Sequence, residues 1–152
     1  GQPAPDFPLS SRDETPHALS GYRGAPVALN FWAMWCLPCK LELGALNEAH
    51  RSERDSGLQV VGVDVRERPS DVIEYAAREG IEYDVLLDPY GEVAEAYGVS
   101  AMPTTIWIDA DGIVRAVDKG IMTGGRVRKA LAAMDGSFAA PTSTSGAGSI
   151  GR

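Results

Sequence analysis

Only two cysteines occur in the 152 residues, Cys36 and Cys39, three positions apart at the end of the chain's longest apolar run. That placement constrains the fold more than any other feature. Val27-Ala28-Leu29-Asn30-Phe31-Trp32-Ala33 is dense in strand-favouring types and does not alternate, so it predicts a central strand covered on both faces. Behind it, Leu37, Leu41, Ala45 and Ala49 recur at helical spacing and predict a helix from about residue 37 to 54. Pro38 suits its first turn, where no intrahelical donor is lost. A strand running straight into a helix sets both sulfurs at a strand's carboxyl end and a helix's N-terminus, within an α/β framework.

The remaining punctuation extends that framework. Gly57 closes the helix, and Leu58 to Val65 reads as a second buried strand. A helix over Ser70 to Arg78 carries Val72, Ile73, Ala76 and Ala77 and stops at Gly80. Val85 to Leu87 forms a short strand, and Val93 to Tyr97 a brief helix. Thr104 to Asp109 and Ile113 to Asp118 flank Ala110-Asp111-Gly112, whose Asp-Gly favours a hairpin. A last helix holds Val127, Leu131 and Met134. The order β-α-β-α-β-α-β-β-α implies a mixed sheet flanked by helices, with parallel crossovers closed by an antiparallel pair. Gly1 to Ala25 reads as an extended lead-in with at most short hairpin strands, anchored by Phe7 and Leu9. Residues 137–152 are nearly all Ser, Gly, Ala, Thr and Pro, too poor in apolar surface to offset the entropy of ordering them. They are expected to be a disordered tail behind one domain over residues 1–136.

Composition removes several function classes. A formal net charge of −7, with acids scattered rather than massed, argues against a nucleic-acid partner. No apolar stretch approaches the ~20 residues needed to cross a bilayer. No basic start leads into an apolar stretch, so a leader or membrane anchor, if this protein is exported, would lie outside this sequence.

Two cysteines at this spacing form a reversible two-electron switch. Exchange requires a thiolate, and a free cysteine with pKa about 8.5 is mostly protonated at neutral pH. A helix N-terminus offers unpaired N–H groups and the positive dipole end to an anion, which makes Cys36 the nucleophile. Cys39, one turn on and on the same face, is placed to resolve the mixed disulfide. A structural bridge closing so small a loop would be a poor staple. Half a zinc site would need two further ligands, and His17 and His50 lack ligand spacing.

The wider string Asn30-Phe31-Trp32-Ala33-Met34-Trp35-Cys36-Leu37-Pro38-Cys39 resembles the active-site segment of the thioredoxin superfamily, and within it the TlpA/ResA-like branch of extracytoplasmic oxidoreductases, relatives of the AhpC/TSA proteins. The resemblance covers roughly residues 3 to 135. Ala4-Pro5-Asp6-Phe7 is similar to that branch's opening, an N-terminal extension to the thioredoxin fold. Residues 66–99 resemble its central insertion, and Thr104 to Asp109 with Asp111-Gly112 resemble its closing hairpin.

That resemblance implies specific roles. Pro103 would be the cis-proline facing the active site, and Met102 would offer its backbone N–H and C=O to an extended substrate segment. Trp35 and Pro38 would complete the substrate-binding rim. Glu42 would be a buried acid under the site, its pKa raised, taking a proton from the resolving thiol. Asn30 replaces the buried aspartate of thioredoxins proper, which leaves Glu42 as the acid. Two departures stand out: Gly44 where the branch has proline, which bears on the helix's bend and on Glu42's depth, and an apolar Met34 where a small polar residue is common. The implied activity is thiol–disulfide exchange without metal or organic cofactor. In direction it would be a reductase of cysteine pairs in extracytoplasmic proteins such as apocytochrome c or copper-centre assembly factors, re-reduced by a membrane electron donor. The rivals are a peroxiredoxin-like peroxidase, for which no peroxide-polarising arrangement is visible near Cys36, and a Cu(I)-binding module, for which no third ligand is apparent.

Overall fold

A computed structural model describes residues 1–134; the tail expected over 137–152 lies outside the described residues. The chain forms β1 (Pro8–Ser11), β2 (Pro16–Ala18), β3 (Val27–Trp32), α1 (Leu37–Leu41), α2 (Leu43–Glu53), β4 (Gln59–Val65), α3 (Pro69–Glu79), β5 (Asp84–Asp88), α4 (Glu92–Ala96), β6 (Thr104–Ile108), β7 (Val114–Lys119) and α5 (Gly124–Ala133). One seven-stranded sheet runs β2-β1-β5-β4-β3-β6-β7. Strands β3, β4 and β5 are parallel, whereas β6 and β7 on one side and β1 and β2 on the other pair antiparallel. The lead-in thus supplies a hairpin that covers the outer edge of β5.

Strands β3 and β4 are buried on both faces because helices cover both sides. One face packs Ala28, Trp32, Val60 and Trp107 against α2, α3 and α5, and Cys36 and Cys39 belong to this cluster. The other packs Leu29, Phe31, Val61, Val63 and Ile106 against Phe7, Leu19 and α4. Gly62 has to be glycine for space, since a Cβ there would stand 3.0 Å from Trp32 Nε1 and 3.1 Å from a Tyr83 ring carbon. The β6–β7 turn is anchored by Asp109, whose carboxylate accepts the N–H groups of Asp111 and Ile113 and the Arg115 guanidinium, while Gly112 takes φ +84°.

The helix expected over 37–54 is two helices. It breaks at Glu42, which ends α1 and precedes α2. At residue 44 glycine is not required for space, since a side chain there would meet nothing within 4 Å. The helical stripe also turns away from its sequence reading. Leu37 and Leu41 are exposed, and the inward face is Cys39, Glu42, Leu43, Leu46 and Ala49. Among the described residues, no helix is long and apolar enough to cross a membrane.

Candidate active site

Parallel strands place their carboxyl ends at one pole of the sheet, and the loops there carry the chemistry. Beyond Trp32, the turn Ala33 to Cys36 closes through Cys36 N–H donating to the Ala33 carbonyl at 3.2 Å. Cys36 is the N-cap of α1, with extended backbone, and is disulfide-bonded to Cys39 across a Cα–Cα distance of 5.2 Å. The Cys39 N–H donates to Cys36 Sγ at 3.2 Å. This is the cap position where a side chain satisfies an orphan donor, here filled by sulfur. α1 has five residues, so a long helix macrodipole is not the source of activation. The local N–H is, because it stabilises sulfur most when sulfur is an anion. Exposure does not distinguish the two cysteines, at 3% for Cys36 and 2% for Cys39; the cap bond does.

Opposite the disulfide stands the loop before β6. The Met102–Pro103 bond is cis, and Pro103 is buried. Its carbonyl accepts Gly120 N–H at 2.9 Å, and Thr104 Oγ1 donates to the Ala101 carbonyl at 2.7 Å, so the loop is held on both sides. The Met102 carbonyl oxygen lies 3.7 Å from Cys36 Sγ. In the disulfide that sulfur has no proton to donate, so the contact marks proximity rather than a hydrogen bond. Trp35, 71% exposed, forms an apolar rim with the exposed Leu37, Pro38 and Leu41.

Beneath the pair, Glu42 is 0% exposed. Its Oε1 accepts Met122 N–H at 2.9 Å, and its Oε2 accepts from Asn30 Nδ2 at 2.8 Å. Asn30 Nδ2 also donates to Thr105 Oγ1 at 3.0 Å. The carboxyl thus ties the α1–α2 junction to β3 and the loop before α5, and Asn30 extends the network to β6. Burial raises its pKa to about 7, against the lowering effects of the Met122 N–H and the Asn30 amide. A carboxyl with pKa near neutrality, in the turn that follows Cys39, is suited to general base work.

The sequence pointed to Cys36, Cys39, Glu42, Trp35, Pro38, Met102 and Pro103, and the fold brings all seven to one pole. It left out Met122, which acts through its backbone, and Thr105, a strand threonine without distinguishing context. Glu67 was also missed: its Oε1 accepts Met34 N–H at 2.8 Å, two residues before Cys36. Among the described residues, no group of three or more His, Cys, Asp or Glu side chains is placed to hold a metal ion.

A reversible dithiol at the end of a central parallel strand, faced by a cis-proline loop, defines a thiol–disulfide oxidoreductase of the thioredoxin superfamily. The comparisons narrow this. Residues 1–117 match the AhpC/TSA family. Over 131 residues the chain is 37% identical to the thiol-disulfide oxidoreductase ResA of Geobacillus thermodenitrificans, covering 86% of this chain and 75% of that protein. Over 123 residues it is 36% identical to ResA of Bacillus subtilis, covering 81% and 69%. Among solved structures, a putative thiol:disulfide interchange protein DsbE from Chlorobium tepidum superposes with TM-score 0.82 at 33% identity, covering 88% of this chain and 96% of that one. A secreted thiol-disulfide isomerase from Corynebacterium glutamicum gives TM-score 0.79 at 30% identity, covering 87% and 85%. The chain belongs to the AhpC/TSA family, in its TlpA/ResA-like branch.

Proposed function

We propose that the protein is a reductase of cysteine pairs in extracytoplasmic proteins, with apocytochrome c and copper-centre assembly factors as the substrate types and a membrane electron donor restoring the dithiol. The observation that carries this reading is Cys36 Sγ receiving the Cys39 N–H while facing the Met102 carbonyl at 3.7 Å. The sulfur is stabilised as an anion beside the backbone on which an extended peptide docks. Kinship with ResA and with a secreted isomerase supports reduction outside the cytoplasm.

The reaction balances with the residues present. The Cys36 thiolate attacks one sulfur of a substrate disulfide, forming a mixed disulfide and releasing the other substrate sulfur as thiolate. Cys39 loses its proton to Glu42 and attacks Cys36 Sγ. The substrate leaves with both sulfurs reduced, carrying two electrons and taking one proton back from Glu42 and one from solvent, and Cys36–Cys39 becomes the disulfide. A second dithiol, the electron donor, then reduces it by the reverse exchange.

Cys39→Ser tests the assignment, because it keeps the cap position of Cys36 and removes the thiol that releases the partner. Expressed outside the cytoplasm, this variant accumulates reductant-sensitive adducts with cysteine-containing proteins, and Cys36→Ser does not. Adducts only in Cys36→Ser reverse the two sulfurs' roles. Adducts in neither, together with hydrogen peroxide consumption above free-thiol rates, point to the peroxidase instead.

A further inference from the structure

Outside the Glu42 network, Asp64 is a buried carboxyl that the mechanism does not use. Asp64 lies in the buried run of β4, 1% exposed, and neither of its oxygens receives a hydrogen bond. It is the register partner of Trp32 and lies on the same face of the sheet as the dithiol cluster. The indole N–H of Trp32, its register partner, is also unbonded. A carboxylate buried without donors is strongly disfavoured. The groups acting on Asp64 are themselves acids: Glu67 in the loop after β4, and Asp88 at the end of β5. Asp88 is already engaged by the N–H groups of Val93 and Ala94. From α3, Tyr75 faces Glu67. Two carboxyls attract one another only through a shared proton.

We propose that Asp64 and Glu67 share one proton and clamp the loop that presents Cys36, with Asp64 as a positioning residue for dithiol exchange. The protonated Asp64 donates to Glu67, and Glu67 Oε1 in turn holds the Met34 N–H at 2.8 Å. Desolvation first, then Glu67 and Asp88, push the Asp64 carboxyl well above the usual carboxylate range, so the proton stays through neutral pH. When it leaves to solvent at alkaline pH, two carboxylates face each other beneath the active-site turn. Glu67 swings away and Met34 is released. The functional consequence rests on the dithiol-exchange reading; the clamp itself does not.

The test therefore uses the oxidised protein without substrate. Carbon-13 NMR of the side-chain carboxyls, assigned through Asp64→Asn, is followed against pH alongside hydrogen exchange of the Met34 amide. Asp64 is expected to stay protonated through neutral pH. Asp64→Asn, whose amide donates to Glu67 with no proton to lose, keeps Met34 protected and removes the alkaline rise in its exchange beyond the intrinsic rate. Asp64→Ala raises Met34 exchange several-fold to about tenfold, the scale of one lost hydrogen bond. In the reduced protein it also changes the alkylation rate of Cys36. Titration of Asp64 in the ordinary range near pH ~4 overturns the proposal. So does unchanged Met34 exchange or Cys36 reactivity in Asp64→Ala; if that variant does not fold, the wild-type titration decides alone. Loss of mixed-disulfide trapping with these signatures intact would instead refute the exchange reading.

Discussion

Exchanging Glu42 for glutamine removes a buried titration while keeping the side chain's shape. In the oxidised protein the cysteines do not titrate, so the carboxyl can be read alone. Its pKa rises from 4.5 to about 7 on folding, chiefly through burial. A group with a folded pKa above its unfolded value contributes stability in full below the unfolded pKa and loses it as pH rises through the folded one. The window is therefore about pH 4.5 to about pH 7, and the loss across it is roughly 3 kcal/mol. Glutamine has no such loss, and the site can accommodate it. Met122 N–H finds the amide oxygen, while a half-turn of Asn30 presents Oδ1 to the new NH₂ group and to a Thr105 hydroxyl turned to donate. Urea unfolding of the oxidised wild type and Glu42→Gln, from about pH 4 to about pH 8, checks this. The variant gains on the wild type by roughly 3 kcal/mol across the range; Asp64, present in both, cancels in the difference. Parallel stability curves would refute the buried-acid reasoning, whatever the variant's activity.

Cys36 accepts an N–H that Cys39 lacks, so alkylation of the reduced protein near neutral pH modifies Cys36 first, read by peptide mass spectrometry; equal labelling rates would remove the nucleophile assignment. Trp35→Ala raises KM for a protein disulfide with little effect on unfolding, because the ring is mostly in solvent; a matching loss of stability would show it to be a packing residue instead. Leu46→Ala, at a site 1% exposed between α2 and the sheet, lowers unfolding free energy by about 2–5 kcal/mol in urea titration, and a change under 1 kcal/mol would mean the inward face of α2 is misplaced.

The strands were legible wherever apolar residues ran continuously, as at Val27–Trp32 and Gln59–Val65, because burial on both faces leaves no alternation to misread. The dithiol was legible because its chemistry is local. The break at Glu42 was not: the apolar period passes through residue 42 undisturbed, and no proline or glycine interrupts it there. At the break the Glu42 carboxyl turns inward to an amide on β3 and an N–H eighty residues away, partners that the local sequence does not announce. Leu37 and Leu41, which helped set the helical period in the sequence, are exposed, and the inward face turns on Glu42 instead. Asp64 falls inside the strand read over Leu58 to Val65, but nothing in the sequence shows that its carboxyl is left without a donor; that follows only from its packing, 1% exposed and opposite Trp32 in the register.

The interruption at Glu42 also has a mechanical meaning. Reducing the disulfide lets two sulfurs part from bonding to non-bonded separation, a displacement on the order of an ångström or two. In a continuous helix that movement would be transmitted along the whole rod and into the packing of Leu43, Leu46 and Ala49. Here the five residues of α1 form a short lever, hinged on a residue whose carboxyl is fixed by hydrogen bonds from β3 and from the loop before α5. The lever can rock with each turnover while the longer helix stays seated, so the adjustment is confined to the cysteine end of the core.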